Sequence, residues 1–292
     1  MSEPLFSIVI PAYNSGKFIT KTLDSLTRQS LRDFEVVIVN DGSKDDTQKV
    51  ISEYIASYPD LNIRLISQEN KGIAGARNRG IIEARGSFVA FLDHDDIWYC
   101  EKLTSCLHAF KLYPDVDLVC HDEILRDVNN RIIRTLHYGP SVADMFRRLL
   151  FRGNCISTSA TIVKKGALIE IGLFREFPEF STTEDYDLWL RLSKEYKFYF
   201  LNEVLGEYLM RDTNASLDLE RHYCNQIAVL KRNFMEYEKK TFSDLLRVNL
   251  RFCKFYLMIA KYLLFKRNPA KAGKYVFKSI FQFLTIFLDV WL

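Results

Sequence analysis

The sequence predicts an α/β fold: a mostly parallel sheet flanked by helices, followed by a C-terminal helical extension. Short apolar runs alternate with helical patterns through the N-terminal part of the chain, and this alternation is typical of βαβ units. The run Phe88–Leu92 is bulky and uncharged, as expected of a strand buried on both faces of a sheet. The last third has helical periodicity.

The individual elements follow from these patterns. The predicted strands are Phe6–Ile10, Phe34–Asn40, Ile63–Ser67, Phe88–Leu92 and Val116–His121. The predicted helices between them are Gly16–Gln29, Asp46–Tyr58, Ile73–Ala84 and Glu101–Leu112. The less regular middle region adds helices at Ser141–Phe151 and Glu184–Glu195 and a strand at Ala160–Val163. We therefore predict one domain over residues 1–215 and a helical extension over residues 216–292.

Composition and charge narrow the class of protein. The six cysteines are scattered without a Cys-x-x-Cys pair, which argues against a zinc site or a disulfide framework and favours a reducing cytoplasm. No basic segment precedes the first apolar strand, so no secretory signal is predicted. The net charge is +3, but it is unevenly distributed. Residues 231–292, the basic tail, contain 13 Lys or Arg against 4 Asp or Glu and carry a net charge of +9, so the rest of the chain carries −6. A polyanionic partner is expected, either nucleic acid or an anionic membrane.

An acidic cluster follows the strand Phe88–Leu92. Asp93, Asp95 and Asp96 stand where a parallel strand ends, and ligands bind at that edge of open α/β sheets. Carboxylates this close repel one another unless a cation or hydrogen-bond donors offset their charge. Mg²⁺ or Mn²⁺ bound to a phosphate is one explanation, and a solvated turn that caps the next helix is the other.

Four loops share this edge of the predicted sheet. They supply an aromatic ring, an acceptor carboxylate, glycines with an arginine, and the acidic cluster, which together suit a nucleoside diphosphate. The loops are Pro11–Asn14, Asn40–Thr47, Asn70–Gly80 and Asp93–Asp96.

These motifs resemble the nucleotide-sugar-dependent glycosyltransferases of family 2, which have the GT-A fold. The resemblance covers roughly residues 5–215. The matching motifs, in the order of the family, are Pro-Ala-Tyr-Asn, Asn-Asp-Gly-Ser-x-Asp-x-Thr, Gly-x-x-x-Ala-Arg-Asn-x-Gly, Phe-Leu-Asp-x-Asp-Asp and Glu-Asp-Tyr-Asp-Leu-Trp. The combination is far more specific than any one of these motifs.

The resemblance implies roles for the residues of the first two loops. Pro11, Ala12 and Tyr13 would flank the nucleobase, which is usually uracil in the family. Asp41 would accept a hydrogen bond from the uracil ring N–H. A turn or N-cap residue before the second helix is the structural alternative for Asp41, and the two roles can coexist.

The resemblance also implies roles for residues of the other two loops. Gly75 would let the backbone approach the nucleotide, and Arg77 would lie against the base or the diphosphate. Asp93 would contact the ribose, and Asp95 would bind the divalent cation. For the glycines, the geometry of a helix N-terminus is the structural alternative.

By the same resemblance, the Glu184–Asp185 pair supplies the catalytic base. Asp185 would deprotonate the acceptor hydroxyl, Glu184 would orient the acceptor, and Asp187 is a lesser candidate. A negatively charged first helical turn is the structural alternative for the pair. Attack by the deprotonated hydroxyl would invert the anomeric configuration.

One segment departs from the family. Many relatives carry a Tyr-Arg-x-His-like stretch after the base helix, and the corresponding residues Tyr208–Ser216 contain no His. Arg211 is then the candidate that neutralises diphosphate charge, although it could instead face solvent.

The basic tail predicts a surface role. Thr241–Phe265 and Tyr275–Leu292 each combine a polar face with a wide apolar face, as in helices that lie on a membrane and attract anionic lipids. Burial on protein, in this chain or in a homo-oligomer, is the alternative. Nucleic acid is not expected, because basic and aromatic residues are segregated onto different faces.

The residues and the resemblance lead to one functional hypothesis. It is an inverting, metal-dependent transferase that moves a sugar from a UDP-sugar to a saccharide or lipid-linked acceptor, in cell-surface polysaccharide or glycolipid synthesis. It would be cytoplasmic and peripheral at the inner face of the cell membrane. The alternative is a non-catalytic, nucleotide-sugar-binding subunit of another transferase. A nucleotidyltransferase fits less well. Such an enzyme would need a basic phosphate-binding loop after the first strand, and only Lys17 lies near the end of that strand.

Overall fold

The computed structural model describes residues 3–211 and 218–288. The chain divides into two compact units. The first contains Met1–Met145, Cys155–Glu176 and Leu192–Asp212, and the second contains Phe146–Asn154, Phe177–Arg191 and Thr213–Leu292. The predicted boundary between residues 215 and 216 lies outside the described residues, so the division into 1–215 and 216–292 stays a prediction.

The first unit is built on a nine-stranded sheet. Its strands are Phe6–Ala12 (β1), Phe34–Asp41 (β2), Ile63–Gln68 (β3), Phe88–Phe91 (β4), Ile97–Trp98 (β5), Leu118–Arg126 (β6), Ile132–Leu136 (β7), Thr161–Lys164 (β8) and Phe198–Leu209 (β9). The strand order is β3-β2-β1-β4-β8-β6-β9-β5, with β7 beside β6. Every residue of β1 and β2 is buried, which explains why both strands are nearly continuous apolar runs.

Ten α-helices are described. They are Ile19–Thr27 (α1), Thr47–Ser57 (α2), Gly72–Glu83 (α3), Lys102–Leu112 (α4), Met145–Arg152 (α5), Lys165–Glu170 (α6), Glu184–Leu192 (α7), Leu219–Met235 (α8), Phe242–Phe265 (α9) and Pro269–Leu288 (α10). A short 3₁₀ helix spans Pro178–Phe180. On the sheet, α1, α2 and α4 pack their apolar side chains into one core with β1, β2 and β4.

Most strands of the sheet run in the same direction, as predicted, but the sheet also contains antiparallel pairs and is therefore mixed. Strands β3, β2, β1 and β4 are mutually parallel. The next strand, β8, is antiparallel to both β4 and β6, so β6 and its parallel neighbour β9 point in the same direction as β4. The strand order changes direction around β1, which lies between β2 and β4. Such a switch point opens a crevice at the carboxyl edge of the sheet.

The second unit is helical. The side chain of Thr241 caps α9, and Asp244 reciprocates by accepting a hydrogen bond from the Thr241 backbone N–H, which is a capping box. Helix α9 packs against α10 through Ile259, Ala260 and Leu263, and Tyr223 of α8 joins this cluster. In residues 3–211 and 218–288, no helix has both the length and the hydropathy that crossing a bilayer requires. Residues 289–292 of the predicted helix Tyr275–Leu292 lie outside the described residues.

Candidate functional site

The carboxyl ends of β1, β2, β3 and β4 meet at one edge of the sheet. In the strand registers, Ala12 pairs with Asn40, and Asp41 pairs with Gln68. The loop after β4 begins beside them, since Leu92 N–H donates to the carbonyl of Val9 at 3.1 Å. The structure therefore brings the four motif loops to a common edge.

The loop after β1 is bonded to the loop after β2. Tyr13 is 43% exposed, and the chain turns directly after it, because Asn14 has a left-handed backbone with φ of 49°. Asn14 N–H donates to Ser43 Oγ at 3.0 Å, and Asn14 Oδ1 accepts from Lys44 N–H at 2.9 Å. The exposed Tyr13 ring, next to the buried Pro11 and Ala12, is available to contact a ligand.

Asp41 is buried and closes the end of β2. Its Oδ1 accepts from Gln68 Nε2 and from Lys71 N–H, each at 2.8 Å. These bonds orient the carboxylate and tie β2 to the start of α3. Because these partners lie at the end of β3 and the start of α3, the bonds do not make Asp41 a cap or turn residue before α2, where Asp46 holds the N-cap position. The proposed bond to a uracil stays a prediction.

Arg77 is buried and pairs with Asp93. Its guanidinium group donates to Asp93 Oδ1 at 2.7 Å, and its Cζ lies 5.5 Å from the centroid of the Phe174 ring. Only 3% of the Arg77 side chain is exposed, compared with 27% for Asp93. Arg77 therefore holds Asp93 in place, and its direct contact with a nucleotide stays a prediction.

Asp95 lies beside Arg211. The Nε atom of Arg211 is 3.4 Å from Asp95 Oδ2. Burial raises the pKa of Asp95, and the charge of Asp93 raises it further, whereas His94 and Arg211 act in the opposite direction. Residues 212–216 of the stretch that contains Arg211 lie outside the described residues.

Asp96, the next residue along the loop, is buried. Burial raises its pKa well above the ordinary value, and the charges of Asp95 and Glu123 raise it further. It accepts a hydrogen bond from Leu209 N–H at 3.3 Å, while its own N–H donates to the Asp93 carbonyl at 3.1 Å. Asp96 therefore stabilises the loop from within.

The donor chemistry of Asp93 and Asp95 fits a hard divalent cation. Carboxylate oxygens are the ligands that Mg²⁺ and Mn²⁺ prefer. In the described ranges, no group of three or more His, Cys, Asp or Glu is placed to hold a metal. A cation here would need further ligands from phosphate and water, which is common for Mg²⁺.

Gly75 lies where a side chain would collide. A Cβ atom would stand 2.6 Å from Lys71 Cβ and 3.2 Å from Glu176 Oε2. Close packing within the protein is therefore one reason for glycine at this position. The proposed approach of the backbone to a nucleotide stays a prediction.

Glu184, Asp185 and Asp187 begin α7 in the second unit. Glu184 is buried and Asp185 is half-buried, and Asp185 Oδ1 accepts from Tyr186 N–H at 2.7 Å. Asp187 is fully buried and accepts from Arg191 Nε and Asn233 Nδ2, each at 2.8 Å. Asp187 is therefore a structural residue, and the roles of Glu184 and Asp185 stay predictions.

Residues far along the chain support these side chains and were not predicted. Ser159 Oγ accepts from Asp93 N–H at 3.0 Å, and the Phe18 ring lies under Arg211, with Cζ 3.4 Å from the ring centroid. In the second unit, burial lowers the pKa of His222, and the charge of Asp185 opposes this shift. No local sequence signal identifies such partners, because tertiary packing brings them together.

Comparison with known proteins identifies the family. The model of glycosyl transferase family 2 matches residues 7–172. The amylovoran biosynthesis glycosyltransferase AmsB of Erwinia amylovora is 35% identical over 225 residues, which cover 72% of this chain and 71% of AmsB. Chondroitin synthase of Escherichia coli is 30% identical over 87% of this chain, but the match spans 36% of that protein.

A solved structure has the same fold. S. aureus TarS 1–349, crystallised with UDP-GlcNAc, superposes with a TM-score of 0.68 at 21% identity, over 96% of this chain and 79% of TarS 1–349. This likeness confirms the predicted GT-A fold class. With the family model and the relatives, it leads to one conclusion: the chain belongs to glycosyl transferase family 2.

Proposed function

We propose that this chain is an inverting, divalent-metal-dependent hexosyltransferase that uses a UDP-sugar. One observation supports the proposal most strongly: the carboxylates of Asp41, Asp93 and Asp95 lie at one sheet edge, where Asp93 is held by Arg77 and Asp95 lies beside Arg211. In this proposal, Asp41 accepts a hydrogen bond from the nucleobase, Asp93 accepts one from the ribose, and Asp95 supplies negative charge for a metal bound to the diphosphate. A protein of the same fold binds UDP-GlcNAc, which supports a UDP-sugar as the first donor to test.

Asp95 would bind the cation in this proposal, with Asp93 next to it. A bound divalent cation supplies Lewis-acid stabilisation of the negative charge that develops on the departing diphosphate. Arg211 would add a second positive charge to that leaving group, because its guanidinium group lies beside the same carboxylate. Arg77 keeps Asp93 fixed while the nucleotide binds.

Asp185 would act as the base. A new bond forms between the acceptor oxygen and the anomeric carbon while the bond to the diphosphate breaks, and the hydroxyl proton moves to the Asp185 carboxylate. Direct displacement inverts the anomeric centre, so an α-linked donor would yield a β-linkage. Asp185 is the better candidate than Asp187, because both Asp187 oxygens accept hydrogen bonds from buried side chains.

The acceptor would be a saccharide or a lipid-linked saccharide of a cell-surface polymer or glycolipid. The names of AmsB and chondroitin synthase support polysaccharide synthesis. The exposed apolar side chains of α9 and α10 support a peripheral contact with an anionic membrane at the cytoplasmic face, and a homo-oligomer contact is the alternative.

A UDP-release assay tests this function. The full chain is incubated with a panel of UDP-sugars and Mn²⁺ or Mg²⁺, and the anomeric configuration of the product is read by NMR. We expect metal-dependent release for at least one sugar and a loss of at least about 100-fold in Asp95→Ala and Asp185→Asn, which remove a metal ligand and a general base. The matched control is Asp60→Asn, which removes an exposed carboxylate and should leave the rate unchanged.

Retention of the wild-type rate in Asp95→Ala and Asp185→Asn would contradict the assigned mechanism. A retained anomeric configuration would contradict inversion alone. Tight UDP binding without turnover across a broad acceptor panel would instead favour the non-catalytic partner subunit.

A further inference from the structure

We propose that a basic cleft on the second unit binds the phosphate headgroups of anionic membrane lipids. The cleft has a volume of about 380 Å³. Its lining comes from the end of α5 and one face of α9: Phe151, Arg152, Arg247, Leu250, Arg251, Lys254, Phe255 and Met258. The inference rests on the membrane contact proposed above and adds its surface and its lipid class.

The cleft concentrates positive charge without a counter-charge of its own. Four of its eight lining residues are cationic and none is acidic. Within the described residues, Arg152, Arg247 and Lys254 have no ion-pair partner. Cations this close repel one another, so an anion that enters the cleft lowers the electrostatic free energy of the unit.

One of the four cations is fixed in position. The Nη1 atom of Arg251 donates to the Leu149 carbonyl at 3.1 Å and to the Tyr186 hydroxyl at 3.0 Å. Its Cζ lies 5.2 Å from the centroid of the Phe255 ring. Because the guanidinium group is held by these contacts and still lines the cleft, it is organised for an anion before one binds.

An exposed apolar stripe runs along α9 next to the cationic side chains. Leu250, Leu257 and Leu264 recur at seven-residue spacing and are 44%, 51% and 57% exposed, so they share one side of the helix. Arg247, Lys254 and Lys261 precede each of them by three residues and form the neighbouring row. Helix α10, which packs on α9, adds exposed Phe277, Ile280, Phe281 and Leu284.

This pairing of apolar and basic rows selects the ligand. A free anion would be recognised by the basic cleft alone and would leave the apolar rows in water. An anionic phospholipid satisfies both, because its phosphate meets the cations while its acyl region receives the apolar side chains. Charge complementarity therefore favours a membrane surface over a second copy of this chain, whose matching face would also be basic.

Vesicle sedimentation tests the inference with the full chain. The probes are vesicles of phosphatidylcholine alone and vesicles with added phosphatidylglycerol. We expect tighter binding to the anionic vesicles, and weaker binding as NaCl rises, because salt screens the headgroup charge.

The test variant is Arg247→Glu with Lys254→Glu. We expect it to weaken binding to anionic vesicles by at least about tenfold, since each Lys or Arg near an anionic surface contributes roughly 1 kcal/mol, or a factor of about five. The matched control, Lys21→Glu with Lys111→Glu, makes the same change in net charge at exposed residues of the first unit and should bind like the wild type. Arg247→Gln with Lys254→Gln should give an intermediate loss and serves if the reversed variant does not fold.

Several results would overturn the inference. Equal binding of the test and control variants would show that net charge, not this cleft, attracts the vesicles. Equal binding of the wild type to neutral and anionic vesicles would be compatible with a membrane contact but would contradict a site for anionic headgroups. A stable dimer that ignores vesicles would assign the surface to a second copy. UDP release without vesicles should be unchanged in both charge-reversal variants, so failure here is distinguishable from failure of the catalytic proposal.

Discussion

The Nε atom of Arg211 lies 3.4 Å from Oδ2 of Asp95, the carboxylate proposed to bind the metal. The guanidinium group also lies on the Phe18 ring, 3.4 Å from its centroid. A cationic side chain of the protein therefore occupies the surroundings of this carboxylate. A divalent cation would compete with Arg211 for Asp95, unless Arg211 turns towards a bound diphosphate.

Replacing Arg211 should consequently affect metal and donor in opposite directions. In Arg211→Leu, we expect Mn²⁺ to bind several-fold more tightly without nucleotide, because a competing charge is removed. We expect the KM for the UDP-sugar to rise about tenfold, because a charged contact with the diphosphate is lost. Mn²⁺ titration by electron paramagnetic resonance and steady-state kinetics measure the two effects. Arg28→Leu, at an exposed position, is the control, and a variant that changes neither quantity would show that Arg211 is structural.

Asp41→Asn should weaken UDP binding by about 10- to 100-fold, because a charged acceptor for the uracil N–H is lost. Calorimetric titration with UDP and with pyrophosphate separates base recognition from general damage. Binding of pyrophosphate should not change. If both ligands bind equally less well, the role of Asp41 is confined to its bonds with Gln68 and Lys71.

Ser159→Ala should raise the Mn²⁺ concentration needed for half-maximal activity by about tenfold or more, as expected when support of a metal-binding loop is lost. The reason is the 3.0 Å hydrogen bond from Asp93 N–H to Ser159 Oγ. Removing a serine hydroxyl at an exposed helix position, in Ser57→Ala, should not change the metal requirement. Loss of stability in Ser159→Ala with an unchanged metal requirement would contradict this prediction.

Gly75→Ala should destabilise the protein by about 1–3 kcal/mol, the usual cost of overpacking, because the new Cβ would meet Lys71 and Glu176. The same substitution at Gly166 of α6, where nothing lies within 4 Å of the added atom, should be neutral or slightly stabilising. Urea denaturation of the two variants measures the difference. Equal stabilities would contradict the steric explanation.

Glu35 should make stability depend on pH. Its carboxylate is fully buried on β2, and burial alone would raise its pKa, but hydrogen bonds from Ser7, the Arg85 backbone and Arg64 outweigh this, so the pKa is lowered below 4.5. The ionised form is therefore favoured in the folded state. Its contribution to the stability of the fold is complete above the pKa that the group has in the unfolded state, and it is lost as the pH falls through the pKa in the folded state.

The variant Glu35→Gln tests this dependence. At pH 7, we expect it to be about 1–3 kcal/mol less stable than the wild type, because a charged hydrogen-bonded acceptor is replaced. The difference should shrink as the pH falls below 4.5, the ordinary pKa of the group. Melting temperatures of both proteins from pH 7 to pH 3 provide the measurement, and a difference that stays constant over this range would contradict the assignment.

Much of the fold could be predicted because its signals are local. The strands Phe6–Ala12, Phe34–Asp41 and Ile63–Gln68 and the helices between them were predicted to within a few residues, since apolar runs and helical periodicity lie within single segments. Strand β9, Phe198–Leu209, was not predicted. Its exposed Asn202 and Glu203 interrupt the apolar pattern, and its pairing partner β6 lies far away in the sequence.

The candidate site divides in the same way. The sequence by itself determined the family motifs and the sheet edge on which Asp41, Arg77, Asp93 and Asp95 meet, because parallel strands necessarily end on one side. Only the tertiary structure decided that Arg77 holds Asp93, that Ser159 supports the loop and that Arg211 lies beside Asp95. It also decided which sides of α9 and α10 are buried and which apolar side chains remain exposed. These contacts join residues distant in sequence, and their free energy depends on packing that no local pattern encodes.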